Sequence, residues 1–173
     1  MPHVNIEFKA KCSNPDHIRE ILKSLNAEFK GTDNQIDSYF KVHSGRLKLR
    51  EGNIETALIY YERKDKEGPK QSDVTLFHPD PSKVAPLREI LTKILGIKVI
   101  VDKEREIYFI GNVKFHIDSI KGLGSFMEVE AIDIDGTIGI KKLQEQCRYY
   151  LHLFKISEKD LISQSYSDLL SVD

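Results

Sequence analysis

The chain has 173 residues, 40% of them hydrophobic and 31% charged, which is enough for one sizeable domain with its own core. Its 26 lysines and arginines offset 27 aspartates and glutamates, so net charge gives no reason to expect a nucleic-acid or membrane partner. No apolar run reaches membrane-spanning length, no signal-peptide pattern opens the chain, and Cys12 and Cys147 stand at no metal-like spacing, which together predict a cytoplasmic protein with two reduced thiols.

From His3 to Lys11 the residues alternate. Val4, Ile6, Phe8 and Ala10 oppose Asn5, Glu7, Lys9 and Lys11, the period of a strand with one apolar and one polar face. Ser13-Asn14-Pro15-Asp16 is a helix start, and Ile18, Ile21, Leu22 and Leu25 recur at helical spacing. That helix should end near Asn26 to Glu28, with Gly31 opening a turn. Strands follow at Gln35 to Val42, Arg46 to Arg50 and Thr56 to Arg63, joined by turns at Ser44-Gly45 and Gly52-Asn53. Lys64 to Gln71 reads as a polar loop and Ser72 to Phe77 as a short strand. Pro79 and Pro81 break the pattern before a helix from about Ser82 to Leu95, stopped by Gly96. Ile97 to Ile110 is a long strand, Gly111-Asn112 a hairpin turn, and Val113 to Ile117 the return. Gly122 and Gly124 bracket a further turn before the strand Phe126 to Ala131. The remainder reads as helical, at about Ile138 to Leu153, near Ser157 to Ile162 and around Tyr166 to Leu170.

About eight strands joined mostly by hairpins, with helical insertions and a helical C-terminus, predict an α+β chain built on a closed antiparallel barrel. The polar parity of those strands holds the functional signal. Its cations are Lys9, Lys11, Arg46, Lys48, Arg50, Arg63, Lys103, Arg105 and Lys114; its carboxylates are Glu7, Asp37, Asp118, Glu128 and Glu130. Two readings stay open on pattern alone. One makes these residues the solvated outer faces of the strands. The other points them into a lumen, where so many charges would need water, one another and a highly charged ligand. A polyphosphate with a divalent metal satisfies both signs, because lysine and arginine bind phosphate oxygens and carboxylates bind hard cations.

The segments QIDSYF (Gln35 to Phe40), RLKLRE (Arg46 to Glu51), YERKD (Tyr61 to Asp65) and GPKQS (Gly68 to Ser72) continue into KERE (Lys103 to Glu106), HID (His116 to Asp118), GLGSFMEVE (Gly122 to Glu130) and SYSDLL (Ser165 to Leu170). Their order and spacing resemble the CYTH superfamily of class IV adenylyl cyclases and thiamine triphosphatases, the triphosphate tunnel metalloenzymes. The resemblance covers nearly the whole chain and is nearest the class IV adenylyl cyclase-like branch. It implies an eight-stranded tunnel that holds a triphosphate with Mg2+ or Mn2+, in a single domain, with a homodimer as the expected assembly. Carried over by position, Glu7, Glu128 and Glu130 would be metal ligands, with Asp118 a further one. Lys9, Lys48, Arg50, Arg63, Lys103, Arg105 and Lys114 would grip phosphates. His116 would hydrogen-bond a phosphate or a neighbouring carboxylate. Lys9 and Tyr39 resemble a proton-handling pair, so Glu7, Lys9 and Tyr39 are the implied catalytic residues; Lys11 and Arg46 are set aside as exposed strand-end cations.

The family hallmark ExExK falls on Asn5, Glu7 and Lys9, so an uncharged asparagine replaces its first glutamate. That substitution predicts weaker binding of one metal, a changed substrate or lost catalysis. The implied reaction is conversion of ATP to cyclic AMP and pyrophosphate, by attack of the ribose 3′-hydroxyl on the α-phosphorus. The alternatives are hydrolysis of tripolyphosphate or thiamine triphosphate, and a barrel that binds polyphosphate without turning it over. The cyclase and hydrolase reactions are both phosphoryl-group chemistry in which positioning and charge neutralisation dominate.

Overall fold

In the computed structural model, which describes residues 2–64 and 66–171, eight antiparallel strands close into a barrel. They are β1 (Pro2–Lys11), β2 (Glu28–Phe40), β3 (Arg46–Glu51), β4 (Thr56–Arg63), β5 (Lys70–Phe77), β6 (Ile97–Ile110), β7 (Val113–Ile120) and β8 (Gly124–Asp133). Around the wall they run β5-β4-β3-β2-β6-β7-β8-β1, and β1 pairs with β5 to shut the ring. Closure leaves none of the eight with a free edge, which is the physical advantage of a barrel over an open sheet. A two-residue strand, β9 (Leu161–Ile162), adds to β1 at Lys9 and Ala10. Asp65, the last residue of the YERKD segment, lies outside the described residues.

Strand alternation sorts the side chains. On β1, β7 and β8 the outward residues Ile6, Phe8, Ala10, Val113, Phe115, Ile117, Met127, Val129 and Ala131 form one buried apolar cluster. Helices α1 (Pro15–Ser24) and α3 (Ile140–Leu153) cover it with Ile18, Leu22, Leu143, Cys147 and Tyr150. Full burial of each large apolar side chain there stabilises the fold by roughly 1.5–3 kcal/mol. Helix α1 starts as its sequence dictates. The Asn14 side chain accepts from the His17 amide at 3.3 Å, and Pro15 occupies the first turn. Helix α2 (Val84–Leu95), preceded by a 3-10 turn at Pro81–Lys83, buries none of its residues and stands outside the barrel. Cys12 and Cys147 are both buried free thiols.

The structure corrects three boundaries. Gly31 does not open a turn. It sits inside β2, at a bulge that shifts the register against β6, with φ 124°. A Cβ there would also approach Ile54 Cδ1 to 2.9 Å. Strand β2 ends at Phe40, so Lys41 and Val42 lie beyond it. The stretch read as helical near Ser157 to Ile162 divides into a 3-10 turn, Glu158–Asp160, and strand β9.

The last element sets the shape of the interior. Helix α4 (Tyr166–Leu170) has only five residues and is held by its contacts rather than by its length. Ser165 and Asp168 form a capping box, and Asp168 accepts from Arg46 at 2.7 Å. Tyr166, 2% exposed, packs edge-on against Phe126 and donates to Asp118 at 2.7 Å. Helix α4 thereby covers the barrel end where β1 finishes and β8 begins.

Candidate active site

The inward faces of the strands enclose a cavity of about 340 Å³. Its wall carries Lys9, Lys48, Arg50, Arg63, Lys103, Arg105 and Lys114 against four glutamates, Glu7, Glu55, Glu128 and Glu130. The charged parity of the strands therefore faces a lumen. All seven cations expected to grip phosphates line it, as do Glu7, Tyr39 and His116.

Register explains who meets whom. Glu7 lies directly opposite Glu130, Lys9 opposite Glu128, and His116 opposite Glu128 on the other flank of β8. Opposed side chains on one face of an antiparallel pair sit within contact distance, so three strands bring Glu7, Glu128, Glu130 and His116 to one patch of wall. One ligand atom from each of His116, Glu128 and Glu130 falls within 4.8 Å of the others, a donor set that fits a divalent cation. Lys9 Nζ lies 3.3 Å from Glu128 and 3.9 Å from the centre of the Tyr166 ring. Burial lowers the Lys9 pKa, opposed by Glu128. Burial would raise Glu128, but Lys9 and Arg105 outweigh it and keep that carboxyl ionised well below its usual range. Glu130 goes the other way. Burial and the facing Glu7 push it up to about 7, against the pull of Lys114.

Glu7 accepts from Arg63 and, at 3.3 Å, from Ser72 Oγ. Arg63 keeps Nε and Nη2 buried with no hydrogen-bond partner among the described residues, and the same is true of Asn5 Oδ1 and His116 Nε2. Buried polar atoms are normally satisfied, and each orphan costs about 1–3 kcal/mol. These four atoms lie on inward-facing residues of the cavity wall, so they mark where a ligand would complete the hydrogen bonding.

The opposite side of the lumen is already paired. Asp37, with a fully buried side chain, takes both forks of Arg50 at 2.9 Å, Lys103 at 2.7 Å and Lys48 at 3.1 Å. Burial would raise its carboxyl, but the three cations hold it well below the usual range. Lys48 also donates to the Tyr39 hydroxyl at 3.2 Å, and burial followed by the Asp37 charge pushes that phenol up. Tyr39 and Lys9 share the cavity, but Tyr39 is held by Lys48 whereas Lys9 rests on Tyr166.

Two expectations need correcting. Asp118 is not among the clustered carboxylates: Arg105 takes both its oxygens at 2.7 Å and Tyr166 adds a third bond, so on the inward face it holds a cation in place. Arg46 is not an exposed strand end, being ion-paired to Asp168, while Lys11 is exposed as expected. His116 takes the carboxylate of its two expected partners, with Nδ1 3.3 Å from Glu128 Oε2; burial, Arg105 and Lys114 hold its pKa down to about 3, so it offers phosphate no positive charge.

Sequence reasoning gave no role to Asp37, Glu55, Tyr61 or Tyr166. Glu55 sits in a turn outside any strand period. Asp33, fully buried, accepts from the Ile54 and Glu55 amides at 2.9 Å each, and Gly52 has no room for a Cβ beside that carboxylate. The folded turn places Glu55 against Lys114 and, at 3.3 Å, Arg50. Asp33 and the tight Gly52-Asn53 turn were the available signal.

A CYTH domain model matches residues 3–166. A Methanocaldococcus jannaschii protein, provisionally named an adenylate cyclase, is 28% identical over 96% of this chain and 98% of its own. The solved structure of the PH1012 protein from Pyrococcus horikoshii superposes with a TM-score of 0.78 at 24% identity, covering 95% of this chain and 98% of its own. A more distant Hippeastrum structure, titled a provisional adenylyl cyclase with a dominant triphosphatase activity, has a TM-score of 0.60 at 14% identity, over 97% of this chain and 93% of its own.

Proposed function

The chain belongs to the CYTH family, and from that premise we propose that it is a divalent-metal-dependent enzyme that draws ATP into its barrel and forms cyclic AMP and pyrophosphate. The observation that carries this reading is the lumen itself. Seven cations face four glutamates, and Arg63 keeps two buried N–H donors for which a phosphate oxygen is the natural acceptor.

The lumen has two chemically different ends. Toward α4 stand Lys9, Lys48 and Lys103, three charged grips for the β and γ phosphates. Away from α4, beside the start of β1, Val74 and Ile132 line the same cavity, and Ala57, Ile59 and Leu76 extend that apolar wall along β4 and β5. An inorganic tripolyphosphate has no use for that apolar wall, whereas the base and sugar of a nucleotide do, which favours ATP over tripolyphosphate. Between the ends, Glu7, Glu128 and Glu130 would hold the metal, which when bound supplies Lewis acidity at the phosphates. Arg63 and Lys114 offset the negative charge that grows on the leaving pyrophosphate, and Arg105 is held ready by Asp118. The proton of the attacking 3′-hydroxyl passes to a carboxylate of the Glu128–Glu130 pair. Asp37 keeps Lys48, Arg50 and Lys103 aimed inward before substrate arrives, so little reorganisation is left for the reaction.

The test is product analysis after incubation with ATP, tripolyphosphate and thiamine triphosphate, each with magnesium or manganese. Cyclic AMP and pyrophosphate from ATP are expected. Orthophosphate from any of the three would replace the cyclase reading with a triphosphatase. Binding without turnover would make the barrel a polyphosphate-binding protein.

A further inference from the structure

Tyr166 is buried and lines the cavity, yet it belongs to the short helix α4 and not to a strand. Three groups meet the ammonium of Lys9. Glu128 Oε1 lies at 3.3 Å, the Gln164 carbonyl accepts at 3.5 Å, and the Tyr166 ring has its centre 3.9 Å away. Two of the three come from the last segment of the chain. The centre of the same ring lies 5.6 Å from Lys103 Nζ. The Tyr166 hydroxyl donates to Asp118 Oδ2 at 2.7 Å, and that oxygen also accepts from Arg105 Nη2 at 2.7 Å. One side chain therefore meets Lys9 and Lys103 directly, and Arg105 through a shared carboxylate oxygen.

Other contacts fix the segment that carries it. Phe126 packs edge-on against the ring, Asp168 of the capping box accepts from Arg46 at 2.7 Å, and Lys70 donates to the Ser163 carbonyl at 2.6 Å. An ammonium on a four-carbon stem loses rotamer freedom when it grips an anion, and a ring that already holds it removes that cost in advance. The attraction between ammonium and ring face is strongest where both are out of water, as here. We infer that Tyr166 is a positioning residue for triphosphate binding, which holds Lys9, Lys103 and, through Asp118, Arg105 in place before the ligand arrives. The inference rests on the reading that the lumen takes a triphosphate, and it makes helix α4 a working part of the site as well as its cover.

Calorimetric titration of the full chain with tripolyphosphate, in chelator so that nothing turns over, tests it. Tyr166→Leu should weaken binding by about tenfold. Tyr166→Phe keeps the ring and loses only the hydroxyl, so it should recover most of that affinity, to within about threefold of wild type. A tyrosine that only closed the barrel would act alike in any background, whereas one that acts through Lys9 would not. In a Lys9→Met chain the leucine substitution should therefore cost about threefold or less. A Tyr166→Leu chain that binds as wild type does, or an equal loss with and without Lys9, overturns the inference. If Tyr166→Leu does not fold, Tyr166→Phe decides: its loss should vanish in an Arg105→Gln chain, and a loss that persists there overturns the inference too. A wild-type chain that binds no tripolyphosphate would bring down the triphosphate reading and this inference together. Binding with no difference among the variants would bring down the inference alone, and the products formed from ATP do not enter the measurement.

Discussion

The two sides of the lumen are built from the same residue types and solve opposite problems. On the β2–β3–β6 side each cation is answered from within. Asp37 serves Arg50, Lys103 and Lys48 at once; Gln35 donates to Asp33 at 2.8 Å, and its Oε1 is the one buried polar atom on this side without a partner among the described residues. On the β4–β1–β8–β7 side the valences are open: Arg63, Asn5 and His116 each hold a buried polar atom with no hydrogen-bond partner among the described residues, and burial and the facing Glu7 push the Glu130 pKa up to about 7. The paired side shapes the site and keeps it shaped without ligand. The open side keeps the unmet hydrogen-bonding capacity that the ligand and metal of the proposed reading would use. Charge count alone does not separate the two, whereas the partner of each charge does.

The largest effect should come from breaking the paired side. Asp37→Ala leaves three buried cations around an empty centre, and loss of one partner from a buried ion pair costs about 3–5 kcal/mol. Tm should fall by about 10 °C in thermal melts, at the usual few degrees per kcal/mol for a chain of this size. A melting point that barely moves would mean the two sides do not differ as described. The open side should respond in binding instead. Arg63→Lys keeps the charge but loses the fork, so calorimetry should show a tripolyphosphate affinity lower by about 2 kcal/mol, roughly thirtyfold, with Tm nearly unchanged. Equal losses in stability and affinity would count against the distinction.

Glu130 sharpens the comparison through pH. It holds its proton to about 7 in the folded chain and releases it near 4.5 when unfolded. Its protonation therefore favours the folded state fully below pH 4.5, and that contribution is lost as pH rises through 7. In chelator-treated protein, Glu130→Gln should leave stability at pH 4.5 little changed and raise it at pH 8 relative to wild type by about 1–2 kcal/mol, a value reduced because Glu130 is only partly buried. Denaturant titrations at the two pH values check this, and a variant less stable at pH 8 would reverse the sign. The smallest effect concerns Asn5. Asn5→Glu adds a carboxylate to the open side and should tighten divalent-metal binding by about 1 kcal/mol, several-fold in Kd. If metal affinity does not change, the uncharged residue at this position is not what limits the site.

Much of this was legible in the chain. Alternation placed the seven cations, Glu7 and the Glu128–Glu130 pair on one face, because strand geometry ties sidedness to parity. The pairing was not legible. Asp37 stood among the acidic residues of that face, but its capture of three cations depends on which strand lies across from β2, and a period of two does not encode register. Asp118 and Glu130 look alike along the chain; Arg105 opposite the first and Glu7 opposite the second give them different work. Glu55 escaped because it belongs to a turn. Gly31 looked like a turn and proved to be a bulge, since glycine at positive φ suits either.

The small helix at the end of the chain has a temporal consequence. Tyr166 stands over Lys9 and Lys103 at one end of the barrel, so a ligand that comes in from the opposite end would leave in the reverse order of its entry. If ATP enters with its phosphates leading, the nucleoside product stands nearest the exit and pyrophosphate lies behind it. Release is then ordered by architecture, and pyrophosphate becomes the product that holds up the next round.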